Sequence, residues 1–458
     1  MKKQFTLETR LSLLDDAKEY LTEYIAFYNE ISRKMWQIVK LSNFDECYTR
    51  SEFNTYVIKK YNVLKRTANS IYNELVGKKN SLLELKKVEA FNLKNKLEVH
   101  ILKKKLLIEK INKLKEKVTL NKATDKELSR YRKYKNKYYY LSNKINTLKQ
   151  KLDITLTQIK NKTISLGFGG KKAFKAQYNL LAYGYKTHTK WKNDYVKKRD
   201  KNIFYLGSKD ESYGNQLAQM NYDAQTDEFT LRLRKEKKYS IDSKYLEIPN
   251  IKFSYMKNEL IDIINNQKNQ LNLSPLSYRI YRRDRKWYLQ VIITVISSDF
   301  ITRKDYGVIG LDYNNGFITL SETNESGNLI MSKNYNLKYH GCGNKALNEI
   351  LNVVNDIVKY AKSVGKDISI ENLDFKKTKS KSISGTNKKY NKMIHTLDYS
   401  RYIFRLENKC YKMQVSLNKV NPYKTSQIGF IKYAQKRKMS IHQAASFVIA
   451  RINQGYID

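Results

Sequence analysis

Two acidic residues stand at positions where an acid can do chemistry rather than solvate a surface. Asp312 follows the apolar run Val-Ile-Gly-Leu, and Glu371 follows Ile-Ser-Ile. An acid at the tip of a buried strand is held rigidly while its carboxylate reaches solvent. Two such acids on adjacent strands make a hard-oxygen site for Mg2+ or Mn2+. Two ions about 3.5–4 Å apart can clamp the attacking water and the leaving oxygen of a phosphodiester. Taken singly, each acid also reads as an ordinary strand-terminal residue; it is the pair, in the element order below, that points to this chemistry. A second group could bind rather than cut. Trp191 and Tyr195 lie among Lys190, Lys192, Lys197 and Arg199, which suits base stacking beside phosphate contacts. A solvated basic face over buried aromatics is the other reading of that segment.

The elements that would position these residues are legible from periodicity. Near the acids, 307–311 is a short apolar strand ending in Asp312, with 316–321 and 329–332 as antiparallel neighbours. A helix over 347–361 places Leu347, Ile350, Leu351 and Val354 on one face, and 367–370 is a strand ending in Glu371. The run 376–392 holds seven Lys with Ser, Gly and Asn and reads as a flexible basic loop. A helix (399–411), a strand (413–420) and a helix (440–452) follow. This β-β-β-α-β-α-β-α order is that of an RNase H-like α/β domain. Upstream, 4–11 alternates as a strand, and from Asp15 the period becomes helical, with Leu21, Tyr24, Ile25, Tyr28, Ile31 and Met35 inward. Residues 81–159 lack Gly and Pro and read as a helical hairpin turning at 120–124, with Leu82, Leu85, Leu93, Leu97, Ile101, Ile108 and Ile111 as its first stripe. A turn at 165–170 (SLGFGG), a strand at 228–234 and a hairpin of 276–282 with 287–296 complete the pattern.

Composition narrows the partners. The 458 residues, enough for about two to four domains, include 88 Lys plus Arg against 44 Asp plus Glu, a formal net charge of +44. A polyanion neutralises such an excess with counterion release. An acidic membrane surface would favour one basic amphipathic segment, whereas these basic residues run through the whole chain, so no membrane partner is expected. Codon bias accounts for most of the 37 Tyr and for little of the charge. Cys47, Cys342 and Cys410 are far apart and form no CxxC pair, which argues against disulfides and against a Cys-ligated zinc. No signal core and no apolar run long enough to span a membrane is present, and a reducing cytoplasm, with nucleoid association through DNA, is the expected location.

Several motifs carry a resemblance to a known family. Gly-Leu-Asp-Tyr-Asn-Asn-Gly-Phe (310–317) resembles the first RuvC motif of the transposon-encoded TnpB (OrfB) proteins, relatives of type V CRISPR effectors. Ile-Glu-Asn-Leu-Asp-Phe (370–375) is similar to their second motif, and Val-Asn-Pro-Tyr-Lys-Thr-Ser-Gln (420–427) to the segment before their third. Phe-Thr-Leu-Glu-Thr-Arg-Leu (5–11) and 207–216 (GSKDESYGNQ) are similar to one branch of the group. The resemblance implies a multidomain α+β protein: a β wedge domain in 1–13 and 163–304, a helical recognition lobe inserted at 14–162, and a RuvC-like nuclease domain in 305–458. It implies an RNA-guided, Mg2+- or Mn2+-dependent DNA endonuclease, with a guide RNA and double-stranded target DNA bearing a short flanking motif as partners. Asp312 and Glu371 would be catalytic and hold the metal. Lys376, Lys377, Lys379 and Lys381, with Thr425, Ser426 and the segment around Trp191, would bind nucleic acid.

Two departures from the family matter. The CxxC pairs usual between the second and third motifs are absent, so no zinc is expected. The usual third acid opens the last helix as Asp-x-Asn-Ala-Ala, whereas this chain has Ser-Ile-His-Gln-Ala-Ala (440–445), with Ile441 in the register of the acid. His442 could substitute as a ligand or proton carrier, or Asp458 could fold back to supply the acid. Otherwise the site is crippled, and the chain is a nuclease-deficient RNA-guided repressor. A DNA-only transposase accessory protein is a third possibility, which the large helical arm and pervasive charge disfavour.

Overall fold

A computed structural model describes residues 2–240, 243–269, 274–296, 299–314, 316–338, 343–373 and 399–456. Asp458, Cys342, the four lysines Lys376, Lys377, Lys379 and Lys381, and the basic segment 376–392 lie outside the described residues. The chain divides into two units, one of Lys2–Phe91 with Gln150–Val295, the other of Asn92–Lys149 with Ile296–Asp458. The architecture is mixed α+β.

The first unit begins with β1 (Lys2–Leu11), whose alternation buries Phe5, Leu7 and Leu11, and α1 (Asp15–Val39), whose inward face includes Leu21, Tyr24, Ile25, Tyr28, Ile31 and Met35. Short α2 (Phe44–Cys47) and α3 (Arg50–Tyr61) follow, the latter opened by a capping box between Thr49 and Glu52. Two long helices, α4 (Lys65–Thr119) and α5 (Asp125–Lys160), are divided between the units. The start of α4 is anchored by buried Glu236, which accepts from the Leu64 amide at 2.7 Å, from Tyr24 Oη at 3.0 Å and from Thr67 Oγ1. Then come α6 (Lys171–Lys175), α7 (His188–Arg199), β2 (Asn202–Tyr205), β3 (Ala218–Asp223), β4 (Glu228–Arg234), β5 (Tyr245–Ile251), α8 (Lys257–Lys268), β6 (Ser277–Arg283) and β7 (Lys286–Ile296). They form a four-stranded sheet of order β1-β7-β6-β2 and a three-stranded sheet of order β3-β4-β5. The β6–β7 hairpin turns on Asp284 and Arg285, both at positive φ (48° and 62°), as a two-residue turn of the right twist demands.

The helical pair differs from its sequence reading. The first helix starts at Lys65 rather than near Ser81, and Leu85 and Ile101 are exposed. The buried positions of α4 beyond Ser81 are Ala90, Asn95 and Leu107, and those of α5 are Leu141, Ile145, Leu148 and Thr155. With apolar residues scattered all round α4, the stripe that packs cannot be chosen from spacing alone. The turn is closed by Thr124 and Glu127, which cap one another, and by a Lys117–Glu127 ion pair at 2.7 Å.

In the second unit, β8 (Val308–Asn314), β9 (Phe317–Thr323), β10 (Leu329–Asn336), α9 (Asn344–Val364), β11 (Asp367–Glu371), α10 (Tyr399–Met413), β12 (Leu417–Val420), α11 (Thr425–Gly429) and α12 (Ile441–Gln454) build one sheet of order β10-β9-β8-β11-β12. β8 is antiparallel to β9, while β11 runs parallel to both β8 and β12. Period-two alternation separates the faces of the central strands. Ile309, Leu311, Ile368 and Ile370 join a core with Ile350, Val354 and Ile357 of α9 and Tyr402 and Leu406 of α10. Leu351, read from spacing as part of that inward face, is 38% exposed, because the helix turns Ala346, Ile350, Val354, Ile357 and Ala361 inward instead. Gly310 is on the opposite face of β8, where α12 lies so close that a Cβ on Gly310 would meet the Ser446 carbonyl oxygen at 2.0 Å. Near the other end of β9, buried Lys366 pairs with Glu322 at 2.5 Å, and Tyr360 donates to the same carboxylate.

Candidate functional site

The alternation that turns Ile309 and Leu311 into the core turns Gly310 and Asp312 to the α12 face, and the same rule places Ser369 and Glu371 there on β11. Ser369 pairs with Gly310 and Ile370 with Leu311, so Asp312 and Glu371 come next on neighbouring parallel strands. Asp312 is not at the end of its strand: β8 continues to Asn314 against β9. It does stand just past the last β8–β11 pair, where the parallel ladder stops. Small residues along this face, Gly310 on β8 and Ala444, Ala445 and Ser446 on α12, permit the close approach. Ser321 and Ser446 join their hydroxyls at 2.6 Å beneath it.

Three side chains converge on the carboxylates. Asn314 Nδ2 donates to Asp312 Oδ2 at 2.8 Å, and His442 Nδ1 lies 3.0 Å from the same oxygen. Thr425, buried at the start of α11, donates its hydroxyl to Glu371 Oε1. Among the described residues nothing bonds Asp312 Oδ1 or Glu371 Oε2, so each carboxylate keeps one oxygen available. Burial pushes the Glu371 carboxyl above its usual range, the Thr425 bond opposes this, and the nearby charge of Asp312 adds to it. The His442 imidazole is raised too, which favours its charged form: its bond to Asp312 raises its pKa against the effect of partial burial. Its ring meets Phe317 edge-on at 5.0 Å between centroids. His442 reaches this position because Ser440 and Gln443 form a capping box that fixes the first turn of α12, leaving Ile441 47% exposed.

Hard oxygen donors with mutually unfavourable charges and one free oxygen each suit a divalent cation. Among the described residues, however, no group of three or more His, Cys, Asp or Glu is placed to hold a metal. Asn314 and Thr425 as partners of the two acids are not evident from the sequence. Thr425, expected among the nucleic-acid contacts, is buried with its hydroxyl committed to Glu371, while Ser426 is exposed. On α7 the Trp191 ring is packed rather than open, as in the second reading of this segment, a solvated basic face over buried aromatics. Trp191 is only 6% exposed, its indole N–H donates to the Ala173 carbonyl at 2.8 Å, and its ring stacks on Tyr195 at 5.3 Å. Trp191 therefore presents no stacking face, because α7 packs that ring inward. Lys190, Lys192 and Lys197 remain exposed, and Arg199 pairs with Asp200. Cys47 is exposed and Cys410 lies in the core beside α9, and neither is joined in a disulfide among the described residues. No described helix is long and apolar enough to cross a membrane.

No protein-family model and no curated protein matches the chain. Solved structures similar to it include a Cas12i1 R-loop complex after target DNA cleavage (11% identity, 87% of this chain and 49% of that chain, TM-score 0.25). They also include a Cas12i1–crRNA binary complex (12% identity, 87% of this chain and 50% of that chain, TM-score 0.26). The chain spans about half the length of these structures.

Proposed function

We propose that this chain is an RNA-guided, divalent-metal-dependent DNA endonuclease of transposon origin, with an RNase H-like domain that cuts at Asp312 and Glu371. The observation that carries the reading is the placing of these acids side by side on adjacent parallel strands, each with one oxygen that no described residue bonds. The TnpB-like motifs at 310–317, 370–375 and 420–427 and the +44 charge supply the guided, nucleic-acid part of it. Asp312 and Glu371 would hold Mg2+ or Mn2+, which when bound would offset phosphate charge and activate water. Asn314 orients Asp312, Thr425 orients Glu371, and His442 Nδ1 holds or releases a proton 3.0 Å from Asp312 Oδ2. The duplex target and its flanking motif would meet the exposed lysines and Ser426.

The test is cleavage of a guided duplex in Mg2+ or Mn2+. Asp312→Ala abolishes cutting while leaving RNA and DNA binding within about twofold, since one carboxylate adds little to a surface dominated by cations. His442→Ala lowers cutting by orders of magnitude if the imidazole stands in for the third acid. If removal of Asp458 does so and His442→Ala does not, the acid comes from the chain end. A second reading is favoured by the same His442–Asp312 contact, which puts an imidazole rather than a third carboxylate on the metal-holding acid. On that reading the chain is an RNA-guided repressor, and the wild type binds its target without cutting it in either metal.

A further inference from the structure

Within the unit of Lys2–Phe91 and Gln150–Val295 lies an open cleft of about 1320 Å³ that the nuclease reading does not use. Its walls come from the end of α1, the middle of α4, the SLGFGG turn, α6 with the turns after it, and the end of α7. Five cationic side chains and five aromatic rings line it, and no acidic one does.

The charge is compensated only in part. Arg33 and Arg199 share a single carboxylate, Asp200: Arg33 donates to Oδ1, and Arg199 donates to both oxygens. Lys86 pairs with Glu89 at 2.7 Å. Lys171 and Lys175 meet no carboxylate among the described residues. Five cations thus stand against two acids, neither of which lines the cleft.

The aromatic rings fall into a fixed set and an open set. Tyr195 is fixed, its hydroxyl donating to the Phe168 carbonyl at 2.9 Å and its ring stacked on buried Trp191. The turn that carries Phe168 is fixed too. Gly169 sits at φ 78°, and a Cβ there would press on the Tyr195 ring at 3.1 Å and the Arg199 backbone at 3.2 Å. Opposite in character, Tyr178 is 76% exposed and Phe174 44%, with their rings edge-to-face at 6.2 Å. Large rings left in water beside unpaired lysines cost solvation unless something with flat faces and negative charge covers them. Unpaired nucleotides have both: every base has a π-face and every linkage a phosphate. A duplex hides its base faces and offers only the second.

We propose that this cleft seats an unpaired stretch of polynucleotide, with bases stacked on Tyr178 and Phe174 and phosphates on Lys171, Lys175 and the Arg33–Arg199 pair. The inference is independent of the nuclease reading, since none of its residues belongs to that site.

The experiment uses the full chain stripped of nucleic acid in high salt. The probes are a single-stranded 4-thiouridine oligoribonucleotide, a 4-thiothymidine oligodeoxynucleotide of equal length, and the corresponding duplexes. Photocrosslinks with a single-stranded probe fall on the peptide holding Phe174 and Tyr178, and whichever single strand crosslinks there identifies RNA or DNA as the source. Tyr178→Ala weakens binding of that probe by at least about fivefold, as loss of one base–aromatic stack requires, and Tyr178→Phe restores it. Tyr178 is exposed, so its removal leaves the core intact. Asp312→Ala leaves the crosslink unchanged, which separates this result from the outcome at the nuclease site. Crosslinks confined to other peptides, equal crosslinking by the duplexes, or unchanged affinity in Tyr178→Ala would each overturn the proposal.

Discussion

Asp312 and Glu371 have the same functional group but are held differently. One Asp312 oxygen takes two partners, the Asn314 amide and the His442 ring, whereas Glu371 takes the Thr425 hydroxyl. The acids themselves were legible because each ends an apolar run. Their partners were not: Thr425 lies 54 residues from Glu371 and His442 lies 130 from Asp312, so only the fold brings them together. The His442 contact has a measurable signature. Asp312 stabilises the protonated imidazole, so the folded value lies above the ordinary 6.5. The pair's contribution to stability is full below the unfolded value and disappears as pH rises through the folded one. In metal-free protein, the NMR titration midpoint of His442 is expected to fall towards the ordinary value in Asp312→Asn. An unchanged midpoint would remove the contact from the account.

At the scale of elements, the site depends on how closely α12 lies on β8. Gly310→Ala would bring a Cβ within 2.0 Å of the Ser446 carbonyl oxygen and 2.7 Å of the Ala450 amide, both backbone atoms with little room to yield. Overpacking of this kind costs about 1–3 kcal/mol, and the helix that carries His442 must shift. Urea unfolding of Gly310→Ala should show that loss, and a variant as stable as the wild type would contradict this packing. Strands with clean alternation, such as β1, β4 and the β6–β7 pair, could be read from sequence. β5 could not, because Pro249 interrupts it and Asn250 at φ 60° adds a bulge opposite β4. Both are tolerated because β5 is an edge strand. The four residues of β2 are too few to show a period.

At the scale of the whole molecule, charge dominates. With 88 cationic against 44 anionic side chains, the protein is expected to purify with RNA bound, seen as an absorbance ratio typical of nucleic acid and as a discrete sequenced species. Its affinity for polyanions should fall by about 10³–10⁵ between 50 and 200 mM salt if 6–10 phosphates are neutralised. A salt-insensitive affinity would mean that the charge serves something else. The residue–residue span across the site has a consequence in time. His442 is synthesised 130 residues after Asp312, which at about 5–20 residues per second is roughly 7–26 s. During that interval a ribosome-bound chain already carries both β sheets of its first unit and the first acid, without the helix that completes the site. On the function proposed above, a nascent chain would present its basic surface to nucleic acid before it carries the complete site.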